Sequence, residues 1–94
     1  MPALLIRHKV ADYATWKPVF DEHGSTRAAN GSQGGRVFQS KSDPDEVFIL
    51  LEWDDLERAD LFVLSDDLSE AMVRAEVAER PDVWILKEVD RPAF

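Results

Sequence analysis

The chain has 94 residues, of which 45% are hydrophobic, so we expect one globular domain over residues 1–94 with a single small core. Nineteen acidic against eleven basic side chains give a net charge of -8, which disfavours nucleic acid and anionic membranes as partners. The chain has no cysteine, which excludes disulfides and thiolate metal sites, and no apolar run long enough for a membrane span or a signal peptide. A cytoplasmic protein is therefore expected.

The first predicted elements are a strand and an aromatic helix. Residues alternate along Ala3 to Val10, which predicts a strand with His8 on the same face as Leu4 and Ile6. From Asp12 to Arg27, aromatic and then polar side chains recur at spacings of three and four, which predicts one face of a helix. This stripe consists of Tyr13, Trp16, Phe20, His23 and Arg27.

The entry and the end of this helix are less regular. Asp12 is the expected N-cap, with Thr15 as the alternative. Pro18 lies beyond the first turn if Asp12 is the cap, so we predict a kinked or two-part entry. The turn cluster Asn30 to Gly35 predicts that the helix stops between His23 and Asn30.

The second half of the chain repeats the pattern of strand and helix. Polar turn residues at positions 42–46 separate two apolar stretches, which predicts a hairpin, and an aspartate caps the helix that follows. The glycines at 31, 34 and 35 precede a strand and not a helix, so they lack the geometry of a phosphate loop. The predicted strands of this half are Arg36 to Ser40, Val47 to Trp53 and Val83 to Val89, the last one after a turn at Glu79 to Asp82. The predicted helix is capped by Asp54 or Asp55 and has Leu56, Ala59, Phe62 and Val63 on its inner face. It is interrupted at Ser65 to Asp67, after which the helical stripe continues with Leu68, Ala71, Met72 and Ala75.

The order strand, helix, strand, strand, helix, strand predicts an α+β, ferredoxin-like βαββαβ fold. Right-handed crossovers place both helices on one face of a four-stranded antiparallel sheet. The strand Val47 to Trp53 is apolar on both faces until Glu52, so the second face also needs a cover. We expect a second copy to provide it, in a homodimer formed through the sheet faces.

The order of elements and three segments resemble the dimeric α/β barrel superfamily, and within it small proteins similar to antibiotic biosynthesis monooxygenases. The segments are Asp12 to Lys17, Val47 to Ala59 and Ser65 to Met72. The resemblance implies one barrel per dimer and a ligand cleft in each subunit between the sheet and its helices. Some members of this superfamily oxygenate polyaromatic substrates without metal or flavin, others bind or degrade haem, and many have no known role.

The candidate site residues come from the inward stripe and the strands beside it. His23 is the candidate catalytic residue, because an imidazole near a bound oxygen can move a proton, and Arg27 could hold an anionic or enolic oxygen. The remaining candidate ligand contacts are Tyr13, Trp16, Phe20, His8 and Trp53.

Each candidate also has a structural explanation. His23 could bond a backbone carbonyl at the helix end with Arg27 solvated beyond it, His8 could be a hydrogen-bonded core residue, and the aromatic residues could be ordinary packing. A two-histidine metal site completed by Glu52 or Glu22 has no closely spaced motif, so neither a metal nor a cofactor is predicted.

These observations favour a small-molecule-binding protein, with cofactor-independent monooxygenase-like chemistry on a small aromatic metabolite as the first hypothesis. The alternatives are a ligand-binding or accessory module without turnover and a haem-binding protein.

Overall fold

The computed structural model describes residues 1–64 and 81–94. Within these ranges the four strands form one antiparallel sheet in the order β2-β3-β1-β4. This confirms the ferredoxin-like α+β fold. The elements are β1 (Ala3–Lys9), α1 (Tyr13–Glu22), α2 (Gly24–Ala29), β2 (Ser32–Gln39), β3 (Glu46–Trp53), α3 (Leu56–Val63) and β4 (Asp82–Leu86).

The core lies between the helices and one face of the sheet. Alternate residues of the two central strands point into it, as the period-two pattern requires. Its buried members are Leu4, Ile6, Val10, Val47, Ile49, Leu51 and Trp53 from the strand segments, Trp16 from α1, and Ala59 and Phe62 from α3.

α1 is one helix from Tyr13 onward, so the two-part alternative for its entry is wrong, whereas the kink at Pro18 stays a prediction. Asp12 is the N-cap, and its carboxylate accepts hydrogen bonds from the Thr15 amide at 3.2 Å and the Thr15 hydroxyl at 3.0 Å. The helix continues through Pro18 to Glu22. Pro18 has no amide hydrogen, so the Ala14 carbonyl receives no helical hydrogen bond from it. Both residues are exposed, so water can donate to that carbonyl instead.

The helix breaks at His23 instead, and a second helix, α2, follows it. His23 is the C-cap of α1 and the residue before α2. The stretch from Asp12 to Arg27 is therefore two helices rather than one.

The glycine cluster is mostly strand and not the turn that its composition predicted. β2 begins at Ser32, directly after Gly31, which has a φ of 118°. A bulge between Ser32 and Gly34, where φ is 98°, keeps the strand paired with β3.

The last strand is shorter than predicted. β4 pairs only with β1, and its final residue, Leu86, lies opposite Ala3, the first residue of β1. Only Met1 and Pro2 precede Ala3, and the predicted extension to Val89 does not form.

The second predicted helix begins as expected at the Asp55 cap, whose carboxylate accepts from the Glu57 amide at 3.3 Å. Ala59 and Phe62 are buried, but Leu56 is 39% exposed, so its predicted inward position is wrong. Leu56 is the first helical residue and lies at the edge of the covered face. The predicted interruption at 65–67, the stripe at 68–75 and the first two residues of the turn at 79–82 lie outside the described residues, and Asp82 is the first residue of β4.

The second face of the sheet is apolar and faces away from α1, α2 and α3. Phe38 is 47% exposed, Trp84 45% and Leu86 39%. Between them lie the half-buried side chains of Leu5, Phe48 and Leu50. None of the helices in the described ranges is long and apolar enough to cross a membrane.

Candidate functional site

One inward face of α1 and α2 carries a continuous stack of side chains. The rings of Tyr13 and Trp16 have centroids 5.7 Å apart, and those of Trp16 and Phe20 lie stacked at 4.9 Å with an interplanar angle of 27°. The Arg27 guanidinium carbon sits 3.7 Å from the centre of the Phe20 ring. Spacings of three and four produce the aromatic part of the stack. Four of the predicted ligand contacts are thus brought together.

His8 lies beside this stack, on the side of the sheet that faces the helices. It is 5% exposed, and its ring meets the Trp16 ring edge to face at 5.4 Å and 86°. Neither ring nitrogen has a hydrogen-bond partner among the residues that the structure describes. Burial disfavours the imidazolium and lowers the pKa of His8 from its ordinary 6.5 to about 4. His8 is therefore a neutral imidazole at physiological pH.

His23 occupies the junction of α1 and α2 and is separated from His8. It is 8% exposed, its amide donates to the Val19 carbonyl at 3.1 Å, and its ring lies 6.0 Å from that of Phe62. Seven residues separate it from Trp16, which is roughly 10 Å along a helix. The two histidines therefore contact different rings, and the structure does not bring them together.

The Arg27 side chain reaches back over α1 to Phe20. Its Nη1 donates to the Phe20 carbonyl at 2.7 Å. Burial lowers the pKa of the Arg27 guanidinium, an effect that Asp21 partly opposes. The Arg27 amide donates to the His23 carbonyl at 3.1 Å, so the two residues are one helical turn apart, and the contacts with Phe20 set the direction of the guanidinium.

Arg27 and Phe20 line a cavity of about 210 Å³ between the helices and the edge of the sheet. The other lining residues include Gly24, Val37 and Leu51, none of which sequence reasoning singled out. Val37 and Leu51 could have been predicted as lining residues only from the register of β2 and β3, since both lie on the helix-facing side of this strand pair.

Trp53 is fully buried and is accounted for by packing. Its indole Nε1 donates to the Asn30 carbonyl at 3.0 Å, and its ring lies 4.8 Å from that of Phe62. It holds the end of α2 against the sheet.

Glu52 points to the opposite side of the sheet from His8, as strand alternation requires, so the two do not join in a metal site. Within residues 1–64 and 81–94, no group of three or more histidine, aspartate and glutamate side chains is placed to hold a metal ion.

No family model matches the sequence, and no curated protein sequence matches it. Solved structures do match. A candidate antibiotic biosynthesis monooxygenase from Bordetella bronchiseptica has a TM-score of 0.78 at 18% identity, covering 94% of this chain and 96% of its own. A variant of SnoaB, a cofactor-independent oxygenase from Streptomyces nogalater, has a TM-score of 0.77 at 11% identity, covering 99% and 97%.

A third match, a candidate antibiotic biosynthesis monooxygenase from Caulobacter crescentus, has a TM-score of 0.74 at 19% identity, covering 95% of this chain and 90% of its own. The likeness extends over nearly the whole of each chain. The protein therefore has the ferredoxin-like fold of the antibiotic biosynthesis monooxygenase-like structures, which is the fold that its sequence indicated.

Proposed function

We propose that this protein is a cofactor-independent monooxygenase-like enzyme that binds a small aromatic metabolite between its sheet and its helices. The observation that carries the proposal is the buried imidazole of His8, which has no hydrogen-bond partner among the described residues and lies against Trp16. An unsatisfied buried polar group costs about 1–3 kcal/mol, and a ligand hydroxyl would remove that cost. The cofactor-independent oxygenase among the structural neighbours supports the reaction class.

The chemistry needs a substrate that supplies its own electrons. At a methylene carbon flanked by aromatic rings, loss of a proton gives a carbanion that reacts with O₂. One oxygen atom then becomes a ketone oxygen on that carbon, and the other leaves as water with the two hydrogens. His8 would accept a hydrogen bond from the substrate oxygen, the Trp16 and Phe20 rings would hold its flat body, and His23 is the second imidazole available to take the proton.

The test uses anthrone, which has such a methylene, and measures O₂ consumption and incorporation of ¹⁸O from ¹⁸O₂ into anthraquinone. We expect the wild type to oxidise anthrone faster than the spontaneous reaction. One of the two variants, His8→Leu or His23→Leu, removes the proton acceptor, and we expect that variant to lose about 10²-fold or more in kcat. Leu61→Ala, on the exposed side of α3, is the control that keeps activity. Oxidation at the rate of buffer alone would contradict the proposal.

A ligand-binding protein without turnover is the second candidate, and one observation favours it. A pKa of about 4 makes His8 a weak base, better suited to accept a hydrogen bond than to remove a proton. Anthrone or a related ring system that binds saturably, with no oxygen consumed, would identify this case.

We also propose that the chain forms a homodimer through the second face of its sheet. Arg7 at the edge of this face is already paired with Glu46 at 3.2 Å and with Asp82 at 3.0 Å. These ion pairs neutralise the charge of Arg7 within one chain, and burial of the apolar side chains supplies the driving force. A second copy offers the same apolar face in return.

A further inference from the structure

We infer that the cavity beside Arg27 is a carboxylate-binding site for a small aromatic or branched acid, or for the acidic end of a larger ligand. This rests on the proposed small-molecule binding but not on the oxygenase chemistry.

The first step concerns the charge of Arg27. A guanidinium stays protonated in proteins, so burial leaves it cationic and in need of an anion. Arg27 forms no ion pair with any carboxylate of residues 1–64 and 81–94. The acidic side chain that acts on it, Asp21, is held by Lys17 Nζ at 2.6 and 2.7 Å. A half-buried cation without a carboxylate partner is unusual in a chain whose net charge is -8.

The second step concerns the direction of the guanidinium. Nη1 is fixed by the Phe20 carbonyl and the group lies flat on the Phe20 ring, so its orientation is set before any ligand arrives. Nη2 lies next to Gly24, where an added Cβ would approach it to 3.4 Å. The absence of a side chain at Gly24 leaves this edge of the guanidinium open. An oriented guanidinium edge with two parallel donors matches a carboxylate.

The third step concerns the cavity itself. Phe20, Val37 and Leu51 give it apolar walls, and its two cationic lining residues are the half-buried Arg27 and the exposed Arg36. Its volume of about 210 Å³ is below the 300–1,000 Å³ typical of pockets for drug-sized ligands. It therefore suits one ring or branched alkyl group that carries a carboxylate.

The experiment titrates the protein with sodium benzoate and with benzamide, the neutral amide of benzoate. Binding is followed by the NMR signals of the Gly24 and Gly35 amides, so the measurement does not depend on turnover with O₂. We expect saturable benzoate binding with a Kd of about 1 mM, and benzamide weaker by about tenfold or more. Arg27→Gln should lower benzoate affinity to that of benzamide, whereas Arg91→Gln, an equal charge change on the far side of the sheet, should leave it unchanged.

Gly24→Leu keeps Arg27 and fills the space beside Nη2, so it should also abolish binding. It covers the case in which Arg27→Gln does not fold. The inference is overturned if benzoate shows no saturation at about 20 mM, if benzamide binds equally well, or if folded Gly24→Leu binds benzoate as the wild type does. Anthrone oxidation without benzoate binding would refute this site alone, and benzoate binding without oxidation would refute only the oxygenase chemistry.

Discussion

Burial of the His8 imidazole makes the stability of this protein dependent on pH. The folded protein holds His8 neutral down to a pH of about 4, whereas the unfolded chain binds a proton at its ordinary pKa of 6.5. Between these values the unfolded state binds more protons, so the free energy of unfolding falls as the pH is lowered from 6.5 to about 4. The shift corresponds to a total loss of about 3 kcal/mol, and stability at higher pH is unaffected by this group.

The measurement is urea unfolding from pH 7 to pH 4 in wild type and His8→Leu. The variant should lack the part of the slope that lies between pH 6.5 and 4. Asp43 and Glu88, whose carboxyl pKa values are lowered by Lys9 and by the amino terminus, titrate in both proteins and cancel in the comparison. Parallel pH profiles would show that folding does not hold His8 neutral.

Sequence reasoning placed His8 correctly relative to its neighbours but could not say which side of the sheet it faces. The alternation of Leu4, Ile6 and His8 fixes one face, yet both faces of the strands are apolar, so either could carry the helices. The position of the Arg27 guanidinium was harder to predict, because it is set by contacts with Phe20, seven residues earlier in the chain.

At the scale of the secondary-structure element, the break between α1 and α2 falls after Pro18 and not at it. Pro18 seemed the natural interruption, since proline inside a helix costs about 3 kcal/mol. In the structure Pro18 is exposed and α1 continues through it, while the chain turns at His23 before Gly24. Local propensity indicated a break somewhere in the stretch, and the structure places it at His23.

The turn from α2 into β2 gives a second test at this scale. Gly31 has a φ of 118°, and an added Cβ would overlap the Asp54 carboxylate and approach Trp53 Nε1 to 2.8 Å. Gly34 has a φ of 98°, but nothing lies within 4 Å of its Cβ position. Both Gly→Ala changes strain the backbone by about 1–2 kcal/mol, and only Gly31→Ala adds a clash.

We therefore expect Gly31→Ala to lower the free energy of unfolding by at least about 1 kcal/mol more than Gly34→Ala, measured by denaturant titration. It should also weaken the hydrogen bond between Trp53 and Asn30, which fluorescence of the indole would report. Equal destabilisation by the two variants would contradict this expectation, because it would mean that the turn rearranges around Asp54 and relieves the clash.

At the scale of the whole molecule, the order of elements alone was enough to predict the topology. Two pairs of strands and two helices of these lengths have few right-handed, unknotted arrangements, and the observed sheet order is one of them. What covers the second face could be inferred only from apolar patterning, because a partner leaves no other mark on the sequence.

The proposed dimer is tested by Leu50→Glu, which places a charge at the centre of the second face. We expect wild type to sediment as a dimer and this variant as a monomer, since an unpaired buried carboxylate costs several kcal/mol. Leu61→Glu makes the same change at a residue on α3 that is 65% exposed, and should remain dimeric. A monomeric wild type at micromolar concentration would contradict the dimer.

The bulge in β2 also affects how readily this edge of the sheet can pair with another chain. β2 is an outer strand of the sheet, and an outer strand has a free row of backbone donors and acceptors that can recruit another chain. The shift between Ser32 and Gly34 twists this row out of register, so it is a poor template for a further strand. Filling in the bulge by deleting Gly34 would straighten the edge and favour the growth of fibrils from this side.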